Sequence, residues 1–398
     1  MRGLLVFLLL TLFGRGASPL NILVSIDGCR WDYPELHGAA FLQELSREGV
    51  RLERLIPSFP TKTFPNHYTL VTGLRPQNHG IIQNRFWDDE FQAWFGIGNH
   101  PAAREGRWWG GEPIWLTAQR QGRQVACMFW PGSEANIGGR FPKWWRRYDG
   151  SISHADRVQQ VLDWAALPQS DRPDLITLYF SAVDTMGHSF GPNSLETGRA
   201  LRDIDRALVG LKNGLIQLDQ WSNTNLIVTA DHGMTEVVEK RALVLEDLVS
   251  LKDVRVIFSG ASIGLDVVRG SADDLVAGIN HAGQPVTAFT RDDVPAEFHF
   301  SNNPRIPDIV LIPELGWTVR TRRQLADKNW ESSAGDHGFD HREPDMGAIL
   351  IAHGPAFPRG LRLPAMDNIH VYPLLCELLG IVPAPCDGDD RLIEAALR

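Results

Sequence analysis

The sequence predicts an α/β protein: a mostly parallel sheet flanked by helices on both faces, with a small strand-rich insertion. Three observations carry this. Short apolar runs rich in β-branched residues recur along the chain, helix-patterned segments separate them, and several runs lack the strict alternation of half-exposed strands. The runs are NILVSI (21–26), QVACMFW (124–130), DLITLYF (174–180), NLIVTA (225–230), IPDIVLI (306–312) and GAILIAH (347–353). Between them FLQELSREG (41–49), DRVQQVLDWAAL (156–167), TGRALRDIDRALVGLKNGLIQL (197–218) and VYPLLCELLG (371–380) repeat apolar residues at helical spacing. Strands alternating with helices point to a doubly wound core. With 398 residues, 43% of them hydrophobic, the chain can bury a substantial core. Residues 255–330 are less regular and richer in strands, and read as an insertion or small cap within one catalytic unit spanning 20–398.

Residues 1–18 have the order of a secretory signal peptide. One Arg is followed by an apolar run from Leu4 to Phe13, and then by small residues. That run is too short to span a bilayer, and no later stretch is long and apolar enough, so no membrane span is expected in the mature chain. The polar end RLIEAALR does not match a lipid-anchor signal. The absence of any Asn-x-Ser/Thr acceptor favours a bacterial periplasm as destination over a eukaryotic secretory route. Cys376 and Cys386 flank ELLGIVPAP and could close a small loop; no Cys-x-x-Cys occurs, which argues against a thiolate zinc site. A net charge of −9 leaves no basic footprint for a nucleic-acid-binding module. An acidic enzyme that handles anionic substrates needs local positive charge, and bound metal is one supply.

In open α/β sheets, ligands bind beyond the carboxyl ends of the strands. Asp27 follows NILVSI, Asp184 and His188 follow DLITLYF, and Asp231 and His232 follow NLIVTA. Farther on, SAGDHGFDH brings His337, with Asp336, Asp340 and His341 beside it. A single Asp after a strand is most often a helix cap, and a single His a hydrogen-bonded half-buried residue. Three carboxylates and three imidazoles at strand ends are a different matter. Such ligands suit zinc, and the more oxygen-rich set suits zinc or manganese. Asp184 and His188, four apart on a helical turn, can grip one ion. Paired ions form a clamp on the attacking and leaving oxygens of phosphoryl transfer.

The stretch SFPTKTFPNHYTLVTG (58–73) places Thr63 at the start of a helix expected to run to Thr72 and stop at Gly73, with Pro65 in its first turn. Free N–H groups at a helix N-terminus favour an oxyanion or phosphate. For this segment alone, a capping threonine without chemistry is the simpler reading. Beside the Asp/His constellation the balance reverses, because coordination to a metal would make the alkoxide available.

VSIDGCRWDY, PSFPTKTFPNHYTLVTGLRPQNHGIIQNRFWD, MFWPGSE, VDTMGHSFGP, VTADHGM and GDHGFDH together resemble the nucleotide pyrophosphatase/phosphodiesterase family of the alkaline phosphatase superfamily. The match runs in order from about residue 21 to 380. The resemblance implies two zinc ions, one held by Asp184, His188 and His337, the other by Asp27, Asp231 and His232 with Thr63 as nucleophile. It further implies that Asn84 and the Thr63 amide hydrogen-bond a non-bridging phosphate oxygen, and that Phe64 and Tyr179 sandwich a nucleobase. Position 341 is His where the family often has Asn. The expected partner is a nucleotide or small phosphodiester, cleaved through a covalent nucleotidyl-threonine to a nucleoside 5′-monophosphate. No Arg is expected beside Thr63, and Phe64 suits a flat organic group there, which favours diesters over monoesters. The rival readings are a lysophospholipase C-like or glycerophosphodiester-cleaving enzyme, a phosphate monoesterase on the same fold, and a non-catalytic zinc-binding protein.

Overall fold

The computed structural model describes residues 19–327 and 333–397; the signal-peptide expectation for 1–18 lies outside them. In chain order the principal elements are β1 (Leu20–Ile26), α1 (Ala40–Glu48), β2 (Val50–Leu52), α2 (Thr63–Thr72), β3 (Val125–Met128), β4 (Trp144–Trp145), α3 (His154–Ala165), β5 (Leu175–Phe180), α4 (Ala182–Phe190), α5 (Leu195–Gln217) and β6 (Thr224–Thr229). They continue with β7 (Val254–Phe258), β8 (Ile263–Val267), α6 (Ala272–His281), β9 (Val286–Thr290), β10 (Ile309–Pro313), β11 (Leu350–His353), β12 (Leu361–Leu363) and α7 (Val371–Leu379).

Eight strands form the central sheet in the order β12-β2-β11-β6-β1-β5-β3-β4. From β6 to β4 every pairing is parallel, and β11 alone runs against its neighbours β6 and β2. All residues of β1, β3, β5 and β6 are buried, which explains their unbroken apolar character. Because β5 and β6 flank β1 on opposite sides, the loops after these three strands converge at one edge. Helices α1, α3 and α4 pack on the long α5, and α2 packs against α7. Helix α5 forms because Leu201, Ile204, Leu208, Leu211 and Leu215 fall on one buried stripe, and the Ser194 hydroxyl accepts the Thr197 N–H at its start.

The insertion is a four-stranded antiparallel sheet, β7-β8-β10-β9, with α6 against β9 and an apolar core of its own that includes Leu245, Ile263, Leu265, Ile309 and Leu311. It begins earlier than expected, since Leu245 belongs to that core and Ala242–Val244 pairs with Thr318–Arg320. The run 306–312 sits here, not in the central sheet. All four cysteines are free thiols, so the loop that Cys376 and Cys386 could have closed is open: Cys376 is buried in α7, and the Cys386 thiol faces the Gly388 carbonyl at 3.5 Å.

Candidate active site

Helix α2 delivers Thr63. Its N-cap, Lys62, makes no side-chain cap, so the amides of the first turn are open to other partners. One is taken by Asn84, whose Oδ1 accepts the Phe64 N–H at 2.8 Å. That bond makes Oδ1 the accepting end of the Asn84 amide and leaves Nδ2 as its donor end. The preceding loop is held by Asn66, which accepts the Ser58 N–H and donates to the carbonyls of Ser58, Pro60 and Lys62. At its far end Gly73 stops the helix in the left-handed region, φ 65°, with its N–H on Thr69 O. The two threonines of the segment separate cleanly. Thr61 is buried, accepts the Gly338 N–H at 2.8 Å and donates to Phe339 O at 3.2 Å, so it shapes the 337–339 loop. Thr63 is half-buried and faces the acid/imidazole groups, with Oγ1 at 3.4 Å from His232 Nε2.

All six expected ligand residues come together. Asp184, His188 and His337 form one group with ligand atoms close enough to share an ion; Asp27, Asp184 and His232 form a second, and Asp27, His67 and Asp231 a third. His188 Nδ1 lies 2.8 Å from Gly335 O, His232 Nδ1 2.9 Å from Gly233 O and His337 Nδ1 2.7 Å from Thr61 O. A carbonyl only accepts, so each ring carries its proton on Nδ1 and turns a bare Nε2 inward, the tautomer a metal ligand needs. Asp27 Oδ1, Asp184 Oδ1 and Asp231 Oδ2 are buried without a hydrogen-bond donor. Asp231 Oδ2 lies 2.8 Å from His232 Nε2, two acceptors face to face. Such a donor set fits a divalent cation. Burial and then the Asp231 and Asp184 charges push Asp27 well above the usual carboxylate range. His341 is not among these groups; it sits edge-on to Phe298 and 3.6 Å from Asp340.

A groove of about 320 Å³ opens beside Thr63 and Asp27, lined by Phe64, Trp109, Trp130, Tyr148 and Tyr179 among others. Phe64 is half-buried against Phe95 and Trp109. Tyr179 does not fit the expected stacking role. It is 8% exposed, and its hydroxyl donates to Asp27 Oδ2 at 2.6 Å, which makes it a support of that carboxylate. Tyr148, 42% exposed, is the more open ring on the groove wall, edge-on to Phe129 at 5.2 Å and to Tyr179 at 5.9 Å, with its hydroxyl 3.1 Å from that of Ser181. The sequence reading passed over it; the only signal was the aromatic tract PKWWRRY. A second cavity, about 530 Å³, adjoins Asn84 and is lined by Lys62, Arg85, Arg320 and Arg323. Arg85 lies 3.7 Å over the Trp94 ring, and Lys62 pairs with Asp336 at 3.1 Å. The expectation of no arginine beside Thr63 meets Arg104, which lines the same groove and pairs with Glu134 at 3.0 Å, while Arg85, the residue after Asn84, lines the cationic recess on the flank.

The model of the type I phosphodiesterase / nucleotide pyrophosphatase family matches residues 21–340. The chain belongs to that family. By that membership it is a hydrolase of phosphodiester and diphosphate bonds. It is 35% identical to human ectonucleotide pyrophosphatase/phosphodiesterase family member 5 over 92% of this chain and 76% of the relative. It is 37% identical to a venom phosphodiesterase of Crotalus durissus collilineatus over 96% of this chain, but spans only 46% of that protein. The solved structure of human family member 5 superposes with a TM-score of 0.89 at 33% identity, covering 95% of this chain and all of that one. Its murine counterpart, TM-score 0.89 at 31% identity over 96% of this chain and all of that one, has been solved as an inactive threonine-to-alanine variant in complex with AMP.

Proposed function

We propose that the protein is a two-zinc nucleotide phosphodiesterase and pyrophosphatase that works through a covalent nucleotidyl-threonine on Thr63. The observation that carries this is the position of the Thr63 hydroxyl: at a helix N-terminus, 3.4 Å from an inward-facing imidazole nitrogen, beside an aromatic groove. Asp27, Asp231 and His232 would hold one ion with Thr63, and Asp184, His188 and His337 the other. Bound there, the ions would supply a lowered pKa for the attacking hydroxyl and charge neutralisation for the leaving oxygen.

The rest is the work of this chain's residues. Thr63 Oγ attacks phosphorus in line; an Oγ–P bond forms and the bond to the leaving oxygen breaks. Water then attacks the same phosphorus, releases a nucleoside 5′-monophosphate and restores the hydroxyl. The Asn84 amide nitrogen and the Thr63 N–H, which no intrahelical bond uses, donate to a non-bridging oxygen whose charge grows in the transition state. Phe64 and Tyr148 provide two aromatic faces for a base in the groove. The recess of Lys62, Arg85, Arg320 and Arg323 on the Asn84 side supports a charged leaving group, and so a phosphoanhydride as substrate. The AMP-bound relative supports a nucleotide in the groove, and the leader-like residues 1–18 support export. Incubation with ATP tests the reading: AMP and pyrophosphate are expected, whereas ADP and phosphate would overturn it.

A further inference from the structure

We propose that His67 is a positioning residue that locks the nucleophile-bearing turn to a metal-ligating carboxylate, an inference that rests on the metal-centred reading above. His67 is fully buried and stands one helical turn after Thr63, so its ring folds back over the start of α2. Its Nδ1 lies 2.9 Å from Thr63 O and 3.3 Å from Asp231 Oδ2. Both partners only accept, so the neutral ring carries its proton on Nδ1 and is not free to bind an ion through that atom. Nε2 then accepts from the Ser25 hydroxyl at 2.8 Å. Ser25 lies on β1 two residues before Asp27, so the strand that delivers one carboxylate also fixes the tautomer of the ring that restrains another. Trp130 and Tyr179 meet the ring edge-on at 5.2 Å, and the Trp130 indole donates to His67 O at 2.9 Å, which leaves the imidazole no room to turn.

The imidazole thus joins three segments: β1 through Ser25, the first turn of α2 through the Thr63 carbonyl, and the loop after β6 through Asp231. The Asp231 carboxylate is hydrogen-bonded on one side, where its Oδ1 accepts the Gly28 N–H at 3.2 Å, and its Oδ2 faces the His67 ring on the other. A histidine that only filled the core would need one acceptor for its N–H. Here the N–H that bonds the carbonyl of the attacking residue also lies 3.3 Å from an otherwise unpartnered oxygen of Asp231, so its positive end faces the carboxylate that would hold the ion. The groups of this cluster act through each other, so the effect of removing the ring is expected on metal affinity and turnover together.

The test compares His67→Leu, His67→Asn and Ser25→Ala with the parent, each metal-loaded. Asn places an amide N–H where Nδ1 stood. Zinc affinity is read by chelator competition, kcat and KM on a nucleotidyl p-nitrophenyl ester, and Tm by calorimetry. His67→Leu is expected to lower zinc affinity and kcat by about 10–100-fold with KM within about threefold, and His67→Asn to recover most of both losses. Ser25→Ala, which removes only the tautomer lock, is expected to lower zinc affinity several-fold at unchanged Tm. Equal losses in the Asn and Leu variants, or a Leu variant that behaves as the parent, would overturn the proposal. If His67→Leu does not fold, Ser25→Ala decides, and parental zinc affinity there overturns it. Chelator competition needs no substrate, so an inactive metal-loaded parent would count against the hydrolase reading alone.

Discussion

In the proposed mechanism the Thr63 hydroxyl carries the chemistry and the six acidic and imidazole groups near it carry the support, and single substitutions separate the two. Thr63→Ala removes the attacking oxygen but none of the carboxylates or imidazoles, and Thr63 is only half-buried. Turnover is expected to fall at least about 10³-fold while elemental analysis finds bound metal unchanged; activity near the parent's would mean another nucleophile. The two tyrosines of the groove make a second contrast. Tyr148→Ala removes an exposed ring and is expected to raise KM for nucleotides more than for a small diester that lacks a base. Tyr179→Phe keeps its ring and loses the 2.6 Å bond to Asp27, so zinc affinity is expected to fall with KM little changed. The reverse pattern would restore Tyr179 as the stacking face.

At the level of elements, α2 depends on the short helical turn that follows it. His79 is buried there; its Nε2 lies 3.1 Å from Pro65 O, and its Nδ1 accepts the Ile81 N–H at 3.1 Å. Burial lowers this imidazole to about 3. An unfolded histidine titrates near 6.5, so between the two values the unfolded chain binds a proton that the folded one does not. Stability from this group is therefore full above about pH 6.5 and lost as pH falls toward 3, with a slope of up to about 1.4 kcal/mol per pH unit. Urea denaturation at pH 7 and pH 5 should show the parent losing more stability than His79→Gln; equal losses would mean that His79 does not set this slope. The α2 segment also shows what was legible in sequence. Pro65, Gly73 and the apolar spacing between them announce a helix with Thr63 at its start. Nothing local announces that His67 inside that pattern turns its ring back onto Thr63 O, because a helix-internal histidine looks the same whether it fills space or holds a neighbour.

The molecule as a whole places its candidate ligands by topology. Asp27, Asp184 and Asp231 were legible because each follows a buried apolar strand, and β1 stands between β5 and β6 in the finished sheet. The cationic recess was not, because Lys62, Arg85, Arg320 and Arg323 come from distant segments joined only when β7 of the insertion packs beside the Asn84 loop. Tyr148 was hidden for a related reason: it lies in a loop after a two-residue strand, where neither period nor motif marks it. On the proposed metal-centred reading, the converging carboxylates tie the stability of the fold to bound cation as well. Chelation should lower Tm by roughly 5–10 °C and abolish turnover, both restored by zinc; a chelated protein with parental Tm would show that the carboxylates need no cation.

The stereochemical course at phosphorus tests the central claim most directly. With a nucleotide substrate made chiral at the attacked phosphorus by sulfur and oxygen isotopes, two successive in-line displacements, first by Thr63 and then by water, give net retention in the released monophosphate. Inversion would mean a single attack by water and would contradict the role given to Thr63.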